Sequence, residues 1–226
     1  MKTPGAAMAN ADELREVMPI ALEGILTVPA HARAIVVFVS ASSRVWCSPH
    51  DRRIAHALER CGIATLLSDL LTTSEQRSDS ALTTAYRTHI PLLVGRLSGT
   101  LAWLRGQPDV ATLPIGLWGE GIGAAVAIAT CANMAGVQAV VSHAGRLDLV
   151  ESMLTSVSAP TLMTVVEGDD DVMRISRKAA ERMICAHRIQ SVPDAQRYPE
   201  SSERPVVQWF ESWLNAEPLQ HELLTE

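Results

Sequence analysis

The stretch Leu113-Pro-Ile-Gly-Leu-Trp-Gly-Glu-Gly-Ile-Gly-Ala-Ala-Val-Ala-Ile-Ala-Thr130 decides the fold of this chain. It begins as an apolar segment of strand length, passes through glycines at alternate positions, and continues as a run of small apolar residues typical of a packed helix. A strand that turns sharply into a helix favours glycine at the turn, because the backbones approach closely there. The stretch therefore predicts a buried strand, a tight turn and a helix, in that order.

The glycine cluster fits a known catalytic pattern with its central residue changed. Gly119-Glu-Gly-Ile-Gly123 matches G-x-S-x-G, the nucleophile elbow, but Gly121 stands where the reactive side chain is expected. Glycine reaches strained backbone conformations at little cost, so we expect Gly121 at positive φ. We also expect Gly119 and Gly123 to permit close packing of the strand against the helix. The frame of the elbow is present, and the atom that would attack a carbonyl is absent.

The same residues also fit G-x-G-x-x-A, the pattern of a dinucleotide-binding turn, if Ala124 is included. In such a site Glu120 would direct its negative charge towards the pyrophosphate. The next strand ends in Ser142-His143 rather than in the acidic residue that binds a ribose. The elbow interpretation is therefore favoured.

The rest of the chain alternates strand-like apolar runs with helix-like segments, which predicts parallel pairing with right-handed crossovers. The fold class is thus a three-layer α/β sandwich with a mostly parallel central sheet. Residues 14–28 predict two short antiparallel strands, the second an edge strand that ends at Pro29. The other predicted strands are 34–39, 63–67, 115–118, 139–142, 161–166 and 187–192, and the helices are 48–60, 80–105, the one after the elbow, 147–154, 172–185 and 205–215. One domain is expected over residues 14–215, with tails at 1–13 and 216–226.

Composition limits the partners of the protein. The 226 residues suit one large α/β domain, and the net charge of −6 with scattered Lys and Arg argues against nucleic acid. No run has the length of a signal peptide core or a membrane span, so a cytoplasmic location without membrane contact is expected. The four cysteines are far apart and lack metal-ligand spacing, and we expect neither a metal nor a cofactor.

The order of these elements and motifs resembles the α/β-hydrolase family, in particular its dienelactone-hydrolase-like members, over residues 14–215. The resemblance rests on six local patterns besides the alternation: Leu22-Glu-Gly followed by Val28-Pro29, Val36 to Ser43, Ser48-Pro49, Leu67-Ser-Asp-Leu70, the elbow, and Val166-Glu-Gly-Asp-Asp170. It implies the α/β-hydrolase fold with an active site at the carboxyl edge of the sheet.

The resemblance also implies a nucleophile, a histidine, an acid and backbone donors for an oxyanion. Gly121 occupies the nucleophile position, and Asp170 or its neighbour Asp169 occupies the acid position. The loop after the last strand, where the histidine is expected, has Arg197 or Gln196 instead. The family's His-Gly pair at the oxyanion loop reads Ser40-Ala41. These departures predict a degenerate triad, Gly121, Asp170 and Arg197, without hydrolysis by this route.

Several residues are expected to line a cleft at the carboxyl edge of the sheet, where open α/β sheets bind ligands. Glu120 has an equal claim to a structural role at the helix N-terminus, and a lone histidine at a strand end is more often a hydrogen-bonded loop residue. The acidic run Asp169 to Asp171 predicts a solvated turn rather than a metal site. The other histidines, His50 and His56 among them, are expected at the surface. The predicted ligand-binding residues are Ser42, Ser43, Trp46, Glu120, Gly121, His143, Asp170 and Tyr198.

Three functions are compatible with this pattern. The favoured hypothesis is a non-hydrolytic protein that binds a small molecule or a protein partner through the altered cleft. An alternative is a lyase, isomerase or cyclase that uses Glu120, Asp170 or His143 for acid–base chemistry. A third is a residual hydrolase with a displaced nucleophile, for which Ser40, Ser42 and Cys47 are candidates.

Overall fold

A central eight-stranded sheet organises the computed structural model, which describes residues 14–17, 22–41, 48–79, 84–194 and 199–214. Its strands are β1 (Leu14–Val17), β2 (Leu22–Thr27), β3 (Ala34–Ser40), β4 (Ile63–Asp69), β5 (Ile115–Glu120), β6 (Val137–His143), β7 (Thr161–Val166) and β8 (His187–Val192). They lie in the order β1-β2-β4-β3-β5-β6-β7-β8. The first two strands pair antiparallel with each other, β2 pairs antiparallel with β4, and all other pairs are parallel.

Helices cover both faces of the sheet, which confirms the predicted three-layer α/β sandwich. They are α1 (Pro49–Arg60), α2 (Thr73–Ser78), α3 (Ile90–Leu104), α4 (Ile122–Asn133), a 3₁₀ segment (Leu147–Ser156), α5 (Asp170–Ala180) and α6 (Pro199–Trp213). The first and last of these pack on one face of the sheet, and α3, α4, α5 and the 3₁₀ segment contribute to the core on the other.

The central strand β3 shows why this sheet is covered twice. Its residues from Ala34 to Val39 are all buried. Val36 and Phe38 belong to the core beneath α1 and α6, and Val37 and Val39 belong to the opposite core. Successive side chains of a strand point to opposite faces, so a continuous apolar run is expected where both faces are covered.

Four predicted boundaries or positions are wrong. β1, rather than β2, lies at the edge of the sheet. The long helix predicted over 80–105 begins at Ile90, because the ring nitrogen of His89 caps it by accepting from the Leu92 N–H at 3.1 Å. The helix predicted over 172–185 runs from Asp170 to Ala180, with Asp169 as its N-cap.

The fourth correction concerns the last helix, which begins at Pro199 and carries Pro205 inside it rather than at its start. An internal proline removes a backbone hydrogen bond. Val206, Trp209 and Phe210 nevertheless pack in the core beneath this helix, and this burial holds the segment helical. The predicted tails, 1–13 and 216–226, lie outside the described residues. None of the described helices is long and apolar enough to cross a membrane.

Candidate functional site at the elbow

The turn between β5 and α4 has the geometry of an elbow. Gly121 has φ 55° and ψ −116°, which confirms the predicted positive φ. Its N–H donates to the carbonyl of His143, and its own carbonyl accepts from the N–H of Arg146, both at 3.0 Å. A Cβ built on Gly121 would have no atom within 4 Å beyond those of Gly121 and the neighbouring residues of its own backbone. The turn therefore leaves open space where a side chain at this position would lie.

The two flanking glycines allow the close packing that the sequence predicts. A Cβ on Gly119 would lie 2.6 Å from the backbone nitrogen of Ala124, and a Cβ on Gly123 would overlap the carbonyl oxygen of Val39. Both neighbours are backbone atoms, which cannot move aside as a flexible side chain does. The beginning of α4 is thus held directly against β3 and β5.

A cavity of about 310 Å³ lies beside the elbow, at the carboxyl edge of the parallel strands. This volume is at the lower end of the range for small-molecule sites. The end of β3, the first turns of α1 and α4, and the end of β5 all contribute to its wall. Its lining residues are Val39, Ser40, Ala41, Asp51, Arg87, Trp118, Glu120, Ile122 and Gly123.

Helix α1 brings Asp51 to this cavity. The helix begins after Ser48, whose hydroxyl accepts from the Asp51 N–H at 3.2 Å, with Pro49 in its first turn. The Asp51 carboxylate is buried and its Oδ1 accepts from the indole N–H of Trp118 at 2.8 Å. Burial raises the pKa of Asp51, and the hydrogen bonds from Trp118 and Ser48 oppose that rise.

Strands β5 and β6 bring Glu120 and His143 to the same place. The two residues are register partners at the ends of these parallel strands. Glu120 is an exposed residue at the mouth of the cavity. Partial desolvation of its carboxyl group, and then the charge of Asp51, raise its pKa. His143 is buried and its Nδ1 forms a 2.9 Å hydrogen bond with the hydroxyl of Thr164.

Two imidazole rings and an indole form one cluster behind the carboxylates. The His143 ring stacks on Trp118 with centroids 5.5 Å apart, and the His50 ring lies 5.0 Å from that of His143. Burial lowers the pKa of His143 to about 4 and also lowers the pKa of His50. Burial therefore favours the neutral form of both imidazoles. The donor atoms of His50, Asp51 and Glu120 lie within 4.8 Å of one another.

Comparison with known proteins agrees with this architecture. Residues 22–200 match the model of the dienelactone hydrolase family. The chain belongs to this family. It is 35% identical to the crystal structure of a dienelactone hydrolase from Anabaena variabilis, with a TM-score of 0.82, covering 88% of this chain and 95% of that chain. An esterase from Pyrococcus furiosus, 15% identical with a TM-score of 0.66, shares the fold over 86% of this chain and 88% of its own.

Curated relatives are longer proteins. Two Mycobacterium tuberculosis proteins, from strains CDC 1551 and H37Rv, carry the provisional name phosphoribosyl transferase. Each is 41% identical over 162 residues, which is 71% of this chain and 35% of the relative. This member of the dienelactone hydrolase family therefore spans about a third of the length of the curated relatives it matches.

The structure brings together three of the eight predicted ligand-binding residues, Glu120, Gly121 and His143. Asp170 is the exposed first residue of α5 and does not line the cavity, and its neighbour Asp169 caps that helix by accepting from the Val172 N–H at 3.0 Å. The other predicted residues, Ser42, Ser43, Trp46 and Tyr198, lie outside the described part of the chain, as do Cys47, Gln196 and Arg197.

Sequence reasoning missed His50, Asp51, Arg87 and Trp118. The placement of His50 at the surface is wrong, since the residue is partly buried against Trp118 and His143. One signal was available: Ser48-Pro49 begins a helix after the loop that follows β3, so the first turn of that helix starts at the carboxyl edge. Nothing in the sequence marks Arg87, which lies beyond α2 and reaches the cavity through the fold.

Proposed function

We propose that this member of the dienelactone hydrolase family has lost ester hydrolysis at the elbow and binds a small molecule in the cavity beside Gly121. The observation that carries the proposal is the elbow itself. Gly121 keeps a positive φ, and the space for a side chain is open. The conformation that aims a nucleophile is retained, and the residue that occupies it has no side chain.

The other groups that this hydrolysis needs support the same conclusion. A nucleophile must be activated by a base, which in turn is oriented by an acid. Asp170, at the acid position, is exposed at the start of α5. The sequence has Arg197 or Gln196 at the histidine position, and neither side chain is a general base near neutral pH. The triad is therefore interpreted as degenerate at two positions.

The chemistry of the cavity favours a small polar ligand. Val39, Ile122 and Trp118 provide apolar wall, and Asp51, Glu120 and Arg87 provide charged groups. A concave site of this size with a few converging polar groups is typical of small-molecule binding. The cavity thus supports a small molecule more directly than it supports a protein partner.

A second candidate function has an observation in its favour. Asp51 and Glu120 have raised carboxyl pKa values, and beside them lie the imidazoles of His50 and His143, whose pKa values burial lowers. Such groups transfer protons without a covalent step. They suit a lyase, isomerase or cyclase, which would use Asp51 in place of the exposed Asp170.

Phosphoribosyl transfer is not part of the proposal. The mycobacterial relatives carry that provisional name, but this chain spans only 35% of their length. The family match to dienelactone hydrolases extends over residues 22–200, most of the present chain. The name of the longer proteins is therefore not transferred to this chain.

A ligand-binding experiment tests the proposal. Thermal shifts are measured with a panel of small lactones, esters and organic acids, and native mass spectrometry detects any molecule that co-purifies. Ala41→Leu places a larger side chain at the cavity wall, and Ala135→Leu is the matched control because it lines a separate cavity of about 170 Å³. We expect binding by the wild type and the control, and weaker binding by Ala41→Leu. The proposal would be contradicted if a partner protein co-purified and no small molecule bound to the cavity.

Hydrolysis is assayed on the same preparations with p-nitrophenyl acetate and a dienelactone. We expect the wild type to match the buffer rate, because residue 121 has no attacking atom. Robust turnover that is abolished by changing Ser40, Ser42 or Cys47 would instead support a displaced nucleophile. Ser40 lines the cavity, and the other two candidates lie outside the described residues.

A further inference from the structure

Three side chains of metal-binding types converge beside the cavity, and two of them, Asp51 and Glu120, line it. His50 and Asp51 come from the first turn of α1, and Glu120 comes from the end of β5, far along the chain. One ligand atom from each lies within 4.8 Å of those of the other two. These residues meet only in the folded chain, so their spacing in the sequence does not predict a metal site. One imidazole and two carboxylates form a donor set that suits divalent transition metals.

Two of these groups have no competing hydrogen-bond partner among the described residues. Within the described part of the chain, the Glu120 carboxylate forms no hydrogen bond or ion pair, and neither ring nitrogen of His50 forms a hydrogen bond. Within the described residues, the aromatic rings that contact the His50 ring are those of Trp118 and His143. No described group therefore competes with a metal ion for the lone pairs of Glu120 and His50.

The third group is already oriented. Asp51 is 6% exposed, and its Oδ1 accepts the indole N–H of Trp118 at 2.8 Å. A carboxylate that binds a metal is commonly held by such an outer hydrogen bond, which fixes its direction without using all of its lone pairs. Trp118 itself is held between Phe38, His50 and His143. The orientation of Asp51 is thus set by the packed core.

The charge of the cluster also favours a cation. Asp51 and Glu120 are adjacent carboxylates, and no ion pair among the described residues neutralises either one. Arg87 lines the same cavity, but its guanidinium is bonded to the carboxylate and carbonyl of Asp79, at 3.3 and 3.0 Å. A divalent ion between the carboxylates would remove their mutual repulsion.

We propose that His50, Asp51 and Glu120 bind a divalent transition-metal ion, Zn²⁺ in preference to Mn²⁺ and Mg²⁺, at the wall of the cavity. Zinc bonds to nitrogen and oxygen are roughly 2.0–2.2 Å, which places neighbouring ligand atoms about 3.0–3.5 Å apart. The present separations contract to this range if the side chains of Glu120 and His50 rotate. Glu120 is exposed and His50 is only partly buried, so both have room to do so.

Three protein ligands leave at least one coordination position for water or for an oxygen of a bound molecule. Asp51 and Glu120 both line the cavity, so that position faces its interior. The ligand class is then a small molecule with a carboxylate, hydroxyl or carbonyl oxygen. Metal binding goes beyond the function proposed above and does not depend on it, because the ion would bind with or without the molecule.

Metal titration of the whole chain tests this site. Protein stripped with a chelator is titrated with Zn²⁺, Mn²⁺ and Mg²⁺ by calorimetry, and Co²⁺ is used as a spectroscopic probe of bound ligands. We expect one Zn²⁺ per chain, with weaker binding of Mn²⁺ and weaker still of Mg²⁺. The variants Glu120→Gln and His50→Gln should each lower Zn²⁺ affinity by about tenfold or more.

Two further variants keep the result interpretable. Asp51→Asn retains an acceptor for the Trp118 N–H, so it should keep the fold, checked by circular dichroism, while it weakens metal binding. His56→Ala is the matched control, since His56 is an exposed imidazole on the same helix, 3.0 Å from Glu59. It should bind Zn²⁺ as the wild type does. Absence of stoichiometric Zn²⁺ binding, or equal losses in His56→Ala and Glu120→Gln, would overturn the assignment. The titration contains no organic ligand, so a failure to bind Zn²⁺ would not bear on the small-molecule proposal, which the ligand-binding experiment tests separately.

Discussion

Replacing Gly121 by alanine measures the cost of the elbow's backbone conformation alone. Gly121 has φ 55° and ψ −116°, and a Cβ there would have no neighbour within 4 Å. This φ/ψ pair lies outside the left-handed α region, and holding a residue with a Cβ in such a sparsely populated conformation costs on the order of 1–3 kcal/mol. Alanine also restricts the unfolded chain more than glycine does, and this effect offsets roughly 0.4–1 kcal/mol of that cost. We therefore expect Gly121→Ala to lower the free energy of unfolding by on the order of 1 kcal/mol, or Tm by about 2–4 °C for a chain of this length.

Gly123→Ala is the informative comparison, because its cost is steric. Gly123 lies in α4 without positive φ, so helix propensity alone would favour alanine by roughly 1 kcal/mol. The new Cβ would overlap the carbonyl oxygen of Val39, a backbone atom of the central strand. We expect a loss of about 3 kcal/mol or more, the upper part of the range for overpacking.

Urea unfolding followed by circular dichroism ranks the two variants against the wild type. The reasoning predicts that Gly121→Ala is mildly destabilised and Gly123→Ala severely so. A Gly121→Ala protein at least as stable as the wild type would mean that residue 121 is not held in this strained conformation, and the elbow assignment would be withdrawn. If Gly123→Ala were the milder change, the close contact between α4 and β3 would be refuted.

Two other predictions concern an ion pair and the triad. Arg96 donates to both carboxylate oxygens of Glu75, and this pairing lowers the pKa of Glu75 to about 2, so its stabilising effect is complete above about pH 5 and is lost as pH falls towards 2. Glu75→Gln should lower the free energy of unfolding by ~2 kcal/mol at neutral pH. It should also reduce the loss of stability between about pH 5 and pH 2, and an unchanged loss over this range would contradict the prediction. The double change Gly121→Ser with Arg197→His should give at most trace hydrolysis of p-nitrophenyl acetate, since Ser40-Ala41 replaces the oxyanion-loop pair and a lost oxyanion donor costs ~100 to 1000-fold. Turnover at the level of the family's enzymes would show that only two residues had been lost.

The fold was largely predictable because its signals are local and repeated. Buried strands such as β3 are continuous apolar runs, and their alternation with helices fixes parallel pairing. Helix ends were less predictable. Whether α3 begins at Ile90 depends on the cap formed by His89, and whether α6 continues through Pro205 depends on the burial of Phe210. Such tertiary contacts override local preference.

The site was predictable only where strand ends define it. Glu120 and His143 end neighbouring parallel strands, so their proximity follows from the topology. His50 and Asp51 lie on a helix, and their approach to Glu120 depends on how α1 crosses the sheet. The bond between Asp51 and Trp118 joins residues far apart in the chain. No sequence pattern encodes that distance, which is why the expectation of no metal site did not consider this cluster.

The positions of Asp51 and Glu120 relate the glycine at position 121 to the electrostatics of the cavity. Ester hydrolysis at an elbow generates an oxyanion, which is stabilised by backbone donors aimed at it. Two carboxylates on the wall of the same cavity act against that charge, and do so more strongly where water is excluded. The same pair attracts a cation, or donates and accepts protons when one member is protonated. A site arranged in this way disfavours the intermediate that a serine would form, so glycine at position 121 is consistent with its electrostatics as well as with its backbone.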